Sequence, residues 1–388
     1  MATPIAWTII TSPGSIDVTT QVRSFSRFRG RQNYLDDYSG TQLVLTISNN
    51  NNEIANFPIG QAIRIFAPGV VDAQIFWVSE VQFDDAPGTN TSSGTNTNST
   101  ATVYCDDWMM RAGRIQVTNF ALTSENCFLQ LINQFTVASG ALPADMDWGT
   151  SNGNSTAAAD TYTGTLAARI NTNLNTEFTT GQIYQEQNDL YLRKVGVSGT
   201  AVTNVVTLKP DKGSSTGNNY VLYQSFRRIS AGQNFINTVT VDPPVVAQQT
   251  ATNTSSVAAY GTRFNSVTTV SNTVAEALAR ATWLSNSNAD PNDLRYEITF
   301  TDVMQGNSGV SSLLGNYFAG SIIKLEYVVP GSATTTTEVC AIEGIRYLAS
   351  PSQTEFTLYL SPMDLYAEFT LDSAVYGVLD QNRLGVTY

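Results

Sequence analysis

Leu43-Val44-Leu45-Thr46-Ile47-Ser48-Asn49 and Tyr296-Glu297-Ile298-Thr299-Phe300-Thr301-Asp302 read as two versions of one strand, and this pair decides the fold. In each, apolar side chains fall on every second residue, the spacing of a strand with one buried face. Three further blocks follow in the same order on both sides. Gly60-Gln61-Ala62-Ile63-Arg64-Ile65 is answered by Gly320-Ser321-Ile322-Ile323-Lys324-Leu325, and Pro-Gly follows each, at Pro68-Gly69 and Pro330-Gly331. Ile75-Phe76-Trp77-Val78-Ser79-Glu80-Val81 is answered by Val339-Cys340-Ala341-Ile342-Glu343-Gly344-Ile345, and Thr102-Val103-Tyr104-Cys105 by Thr357-Leu358-Tyr359-Leu360. Strands repeated in order across roughly 250 residues predict two related β-barrels in one polypeptide. The two ends are expected to superpose as barrels and not to pair into one sheet.

Between the repeats the period changes. Phe128, Leu131, Ile132 and Phe135 stand at helical spacing, with Thr123 or Ser124 as N-cap and Gly140 and Pro143 closing the helix. A second helix is predicted over Leu166 to Asn175, then a hairpin from Gly181 to Leu192 turning at Asn188-Asp189. Strands are predicted at Val205–Leu208, Val221–Tyr223 and Ile236–Val241, before Pro243-Pro244. Val274 to Leu284 forms a helix with Ala277, Leu278, Ala281 and Leu284 on one face. The fold class is therefore mainly β with an α+β insert: two related tube-like β-barrel domains flank a middle α+β domain and a helical connector. The boundaries fall at 1–107 for the first barrel, 108–257 for the middle domain, 258–291 for the connector and 292–388 for the second barrel with its C-terminal tail.

At the start of the first barrel, Asp17 to Val22 reads as a short strand, and Arg23 to Arg31 as a basic stretch with interleaved aromatics. The loop 84–100 and the stretch 149–160 are rich in Asn, Ser, Thr and Gly. They hold too little apolar area to offset an ordering entropy of roughly 1–2 kcal/mol per residue. Both are predicted to face outward or toward a partner, never into a core.

Composition narrows the function. The 388 residues suffice for several cores. Only 13% are charged, and the net charge is −12. An acidic chain is a poor adhesive for nucleic acid, which needs clustered Lys and Arg. The absence of histidine removes Ser-His-Asp and Cys-His nucleophiles, zincin-type metal sites and His general bases together, and weakens the case for catalysis, which could still run on paired carboxylates. No apolar run approaches the ~18 residues of a membrane span, and Met1-Ala2-Thr3-Pro4 opens no signal segment. A soluble protein made in the cytoplasm, with no membrane insertion, is expected. Cys105, Cys127 and Cys340 lack CxxC spacing and read as small buried hydrophobes.

The order of motifs resembles the tail hub proteins of tailed bacteriophages, the minor tail or baseplate hub proteins. Arg29-Gly30-Arg31, then Leu35-Asp36 and a strand, resembles the way into the first barrel of that family. Ile236-Asn237-Thr238-Val239-Thr240-Val241 resembles the end of its middle domain, and Tyr260-Gly261-Thr262-Arg263 with Ala275 to Ala279 its connector. Leu360-Ser361-Pro362-Met363-Asp364-Leu365-Tyr366 with Tyr376-Gly377-Val378-Leu379 resembles its C-terminus. The resemblance spans nearly the whole chain and rests on order, since no single motif is diagnostic. It implies a homotrimer whose six barrels form a pseudo-sixfold ring. That ring would join a sixfold tail tube or distal tail protein above to a threefold tip, fibre or spike below, with phage DNA only in transit through the channel. The implied location is the virion, at the tail tip or baseplate, after synthesis in the host cytoplasm.

Arg23, Arg27, Arg29 and Arg31 could grip DNA, pair with an acidic neighbouring subunit or form a plain solvated face; in a chain this acidic, a subunit interface is the better reading. Asp36-Asp37, Asp84-Asp85 and Asp106-Asp107 are adjacent pairs, and neighbours on a strand point to opposite faces, so they read as turn or capping residues. Asp145-Met146-Asp147 has same-side spacing but no calcium-loop pattern. The Asn-x-Ser/Thr sites at Asn90, Asn98, Asn154 and Asn253 carry no meaning without a secretory route. No catalytic residue, metal or cofactor is expected. The alternative to a structural hub is a receptor- or glycan-binding tail-tip protein, motivated by Trp148 and the Asn/Thr-rich loops; a cell-wall-degrading enzyme would need a converging acid pair.

Overall fold

The computed structural model describes residues 5–12, 15–33, 35–84, 99–135, 147–149, 155–177, 181–186, 189–194, 206–211, 219–230, 232, 235–292, 294–304, 309–316, 321–332 and 334–363. The first repeat holds β1 (Thr8–Ser12), β2 (Ile16–Asp17), β3 (Val22–Gly30), β4 (Gln42–Ser48), β5 (Ala62–Ala67), β6 (Val71–Asp84) and β7 (Thr100–Asp106). They hydrogen-bond in the order β3-β4-β7-β6-β5-β1-β2, all antiparallel. Leu43, Leu45 and Ile47 point into the core and the residues between them stay half-buried, as the period-2 pattern requires. The stretch Asp17 to Val22 is not one strand. A 3-10 turn at Thr19–Gln21 breaks it, and the segment caps the free edge of β1: the Val18 N–H donates to the Ile9 carbonyl, and the Ile9 N–H to Thr19 Oγ1. That cap leads straight into β3, so both ends of the sheet meet and its buried face encloses a core. Trp7 fills the seam, edge-on to Phe25 at 5.1 Å, with its indole N–H donating to Thr354 Oγ1.

The middle of the chain adds α1 (Trp108–Arg114), β8 (Gln116–Leu122), β9 (Glu125–Asn126), α2 (Cys127–Leu129, running on as a π-helical stretch Gln130–Phe135), β10 (Asp147–Gly149), β11 (Thr156–Ala157), β12 (Asp160–Thr165), α3 (Leu166–Thr176), β13 (Gly181–Glu186) and β14 (Asp189–Lys194). Its core gathers Trp108, Phe128, Leu131, Ile170 and Leu174. Two expectations are corrected here. The cap of α2 is Asn126, whose Oδ1 accepts the N–H of Phe128 and Leu129, because Glu125–Asn126 is drawn into a strand pair and the helix starts late. The stretch 149–160 does not stay outside the core. β11 pairs with β9, and Ala157 and Ala158 are fully buried. Alanine methyls fit beneath the helices, and the backbone donor of Ala158 is satisfied by the Val270 carbonyl at 2.7 Å. Most of the 84–100 loop lies outside the described residues, and Ser99 at its end is buried. β13 and β14 form the expected antiparallel hairpin, its turn residues 187–188 lying outside the described set.

Then come β15 (Thr207–Lys209), β16 (Tyr220–Leu222), β17 (Ser225–Ser230), β18 (Thr238–Asp242), β19 (Gln249–Thr252), α4 (Thr254–Tyr260), β20 (Phe264–Thr268) and α5 (Val274–Ser287). β19-β18-β20 make a small sheet on which Ala277, Ala281 and Leu284 of α5 pack. Leu278, expected on that face, is instead 42% exposed, because the stripe that meets β18 runs through 277, 281 and 284 only.

The second repeat comprises β21 (Leu294–Thr301), α6 (Gly309–Asn316), β22 (Ile322–Val328), β23 (Thr335–Ser350) and β24 (Gln353–Pro362), and it draws β17 onto one edge and β15 with β16 onto the other, in the order β17-β21-β24-β23-β22-β15-β16. The equivalence is residue by residue. Leu45 opposes Val103 as Ile298 opposes Leu358, and Ile63 opposes Phe76 as Ile323 opposes Cys340. Each long strand even carries its bulge at the same place, between Val78 and Glu80 and between Ile342 and Gly344. The outer strands also correspond: Phe25 lies opposite Leu45, and Phe226 opposite Ile298. The last two strands depart: β1 runs antiparallel to β5 and β2 antiparallel to β1, whereas β15 runs parallel to β22 and β16 parallel to β15.

One expectation about the repeats fails. They are not separate sheets, because β3 pairs along β23, Gly344 opposite Gly30 and Ala349 opposite Phe25. The cores merge as well: Leu45 and Val103 belong to the same buried cluster as Ile298 and Leu358. Leu45→Ala and Ile298→Ala are each expected to cost about 2–5 kcal/mol, the range for deleting a buried aliphatic side chain. Each should lower a single transition of both repeats in calorimetry; two transitions, with each variant moving only its own, would contradict the merged core.

Candidate functional site

The joint between the repeats is built from Arg29-Gly30-Arg31 on β3 and Glu343-Gly344 on β23. Here two backbones touch more closely than side chains allow. Gly30 sits at φ +93°, and a Cβ on it would lie 2.2 Å from the Glu343 carbonyl oxygen; a Cβ on Gly344 would lie 2.6 Å from that of Arg31. Glycine is therefore required on both strands. Glu343 is the bulge residue of β23, and a bulge re-aims a side chain. It is fully buried, and Arg31 Nε donates to its Oε2 at 2.9 Å. Burial pushes the Glu343 carboxyl above its ordinary range against the pull of Arg31. The Arg31 guanidinium also lies 5.0 Å from the Tyr38 ring centroid.

Arg27, two residues before Arg29, is also turned inward, 4.7 Å over Phe76 and 5.8 Å over Tyr347. Burial, with Arg29 adding to it, lowers its guanidinium to about 9. The Asp107 carboxyl is held up at about 6 by burial, although it accepts the N–H of Met110 as the N-cap of α1 and both the N–H and hydroxyl of Thr41.

These positions revise the reading of the basic stretch. Of the four arginines only Arg23 is exposed, donating to Ser48 Oγ; Arg27, Arg29 and Arg31 are buried within the chain. The reading of Arg23, Arg27, Arg29 and Arg31 as a subunit interface therefore loses three of its four residues, which are buried within the chain. β3 alternates, and Phe25 sets the phase that carries 27, 29 and 31 inward, while a register shift between Val22 and Ser24 lets Arg23 out. The interface reading stays with Arg23 alone.

The acids take structural places. Asp106 pairs with Arg114 at 2.6 Å, Asp107 caps α1, and Asp37 accepts from Asn175. Asp85 and Asp145 lie outside the described residues, as do the side chains of Asp147 and Trp148. Among the described residues, no three His, Cys, Asp or Glu side chains come together as a metal site, and no helix is long and apolar enough to cross a membrane. The three cysteines are free and buried. A cleft of about 580 Å³ between α3 and the small sheet is lined by Asn171, Asn175, Asn265, Thr268 and Arg280 beside Asp37, an amide-rich set with one carboxylate. Two features escaped the sequence. One is Glu343, silent inside an apolar block. The other is a fifth repeated block, in which Ser225-Phe226-Arg227-Arg228-Ile229 answers Ser24-Phe25-Ser26-Arg27-Phe28; the shared Ser-Phe and the Arg two residues later were the available signal.

Comparison of the sequence with family models and with curated proteins finds no match. Solved structures do match. The chain is similar to a tail protein from Neisseria meningitidis MC58, with TM-score 0.60 and 11% identity over 92% of this chain and 96% of that one. It is similar to the 43 kDa tail protein of prophage MuSo2 from Shewanella oneidensis, with TM-score 0.56 and 11% identity over 93% and 97%. It is also similar to an Escherichia coli type VI secretion component, described as structurally similar to the T4 bacteriophage tail proteins gp27 and gp5, with TM-score 0.50 and 9% identity over 92% and 75%. At these identities the likeness is one of fold, and the chain has the fold of phage tail proteins over nearly its whole length.

Two measurements test the joint. Arg31→Met is expected to cost about 3–5 kcal/mol by leaving the Glu343 charge buried without its partner, and the double variant with Glu343→Met much less than the two singles added. Additive losses in urea unfolding would show that the pair is not coupled. The second concerns Asp107, whose raised carboxyl makes the folded chain bind that proton more tightly than the unfolded chain. The stabilisation is present below the ordinary value of 3.8 and lost as pH rises through about 6. Asp107→Asn should therefore flatten the fall in stability between pH 4 and 7, and a profile parallel to the parent's would contradict this.

Proposed function

We propose that this chain is a structural subunit of a bacteriophage tail, the hub of the tip or baseplate. Three copies place six barrels in a ring on the tail tube. The observation that carries the reading is the in-register duplication, down to the shared bulge of β6 and β23. Two like units per chain and a sixfold tube require three chains to match. The units differ in sequence and in their last two strands, so the ring is pseudo-sixfold, and true threefold symmetry is left for the middle segments and a tip, fibre or spike below.

The roles follow from physical chemistry rather than from a reactive site. The chain acts as a scaffold and not as an enzyme. Its partners are two further copies of itself, the tube or distal tail protein above, and the tip below; it resides in the tail of the virion after synthesis in the host cytoplasm. DNA is in transit only. With 32 Asp and Glu against 20 Lys and Arg, a channel lined by this chain repels phosphate and lets the duplex slide.

A density map of the assembled tail tests this. Three copies in one ring, with both repeats of each chain around the channel, are expected. Six copies, each contributing one repeat, would overturn the stoichiometry.

A further inference from the structure

The joint inside the chain is a head-to-tail contact: an edge of the first repeat, β3, lies along the distal half of the long strand of the second, β23. Such a contact leaves one unused surface of each kind. The unused edge is the outer side of β17, which corresponds to β3 and pairs only with β21 among the described strands. The unused acceptor is the distal half of β6, Glu80 to Asp84, which corresponds to Gly344 to Leu348. No described strand pairs with its other side. The two halves differ sharply in exposure. Tyr347 is covered by β3 and only 3% exposed, whereas its counterpart Phe83 is 60% exposed.

We propose that β17 of one chain adds antiparallel to the distal half of β6 of the next, repeating between chains the contact that β3 makes with β23 within one. The proposal rests on the ring reading above and names its interface. The register of the inner joint fixes that of the outer one. Arg27 opposite Tyr347 and Ser26 opposite Leu348 become Arg228 opposite Phe83 and Arg227 opposite Asp84. Both new pairs are complementary. Arg27 lies over the Tyr347 ring within the chain, and Arg228, which lies 5.8 Å from the Tyr327 ring of its own chain, would meet the Phe83 ring of the next. Arg227, 70% exposed beside Glu297, meets the carboxylate of Asp84. An exposed edge strand is a standing invitation to pair, and this pairing uses it in a closed ring. The outer joint lacks the glycine pair and the buried ion pair, since Gly232 and Ser79 stand where Arg31 and Glu343 do. It is the weaker of the two, as suits a contact made on assembly.

The test is a cysteine pair in the full chain, Phe83→Cys with Arg228→Cys. Directly opposed strand residues lie within disulfide reach, and the native cysteines are buried. Tail particles carrying this variant should yield a covalent trimer on mild oxidation, and each single variant none. Three copies per particle without the covalent link would overturn the strand pairing and leave the ring intact; another copy number would overturn the ring itself. As a second measurement, Asp84→Arg should lower the trimer fraction of the purified chain by mass, and adding Arg227→Asp should restore it. Failure of the second change to restore what the first removed would also overturn the pairing.

Discussion

The structure depends on one contact, the antiparallel pairing of β3 with β23 where Gly30 meets Gly344. Two backbones meet there at a distance that excludes any Cβ, and the bulge beside them turns Glu343 inward onto Arg31. A buried carboxylate and a buried guanidinium are each costly without the other, so the pair acts more as a registry pin than as a source of stability. Slipping β3 by one residue would separate the charges and drive a side chain into a carbonyl. The relative placement of the two repeats is therefore fixed at this one spot, and the shared apolar core adds adhesion without direction.

How much of this was legible follows from what each signal encodes. Leu43, Leu45 and Ile47 announce a half-buried strand because their alternation is a local property, and their match to Tyr296, Ile298 and Phe300 announces the repeat. The helices beginning at Leu166 and Val274 were legible for the same reason, through period and cap. The joint was not. The phase of Arg27, Arg29 and Arg31 follows from Phe25, but charge argues for the surface, and only a carboxylate 312 residues away makes burial tolerable. Glu343 itself hides between Ile342 and Gly344. The burial of Ala157 and Ala158 was missed because a polar-rich stretch hid two methyls whose fit depends on α3 and the 270 region.

The differences between the repeats are as informative as their likeness. The first is closed by β1, β2 and the 3-10 turn that follows, with Trp7 in the seam. The second takes β15 and β17 from the chain that precedes it, and β15 runs in the opposite sense relative to its neighbour. A duplicated unit has thus kept its four inner strands and the outer strand beside them, β3 or β17, and changed its other edge, where β1 and β2 give way to β15 and β16. If the proposed ring faces a sixfold tube on one side and a threefold tip on the other, edges are where the two symmetries would have to be reconciled.

The proposed ring requires the two repeats to be successive steps around one axis. The most direct measurement is the rotation that carries one repeat onto the next about the tail axis, taken from a map of the assembled particle. About 60° is expected for the step within a chain and the same for the step between chains, the condition for three chains to close. A step within the chain far from that value, or a rotation axis that does not coincide with the tail axis, would contradict it.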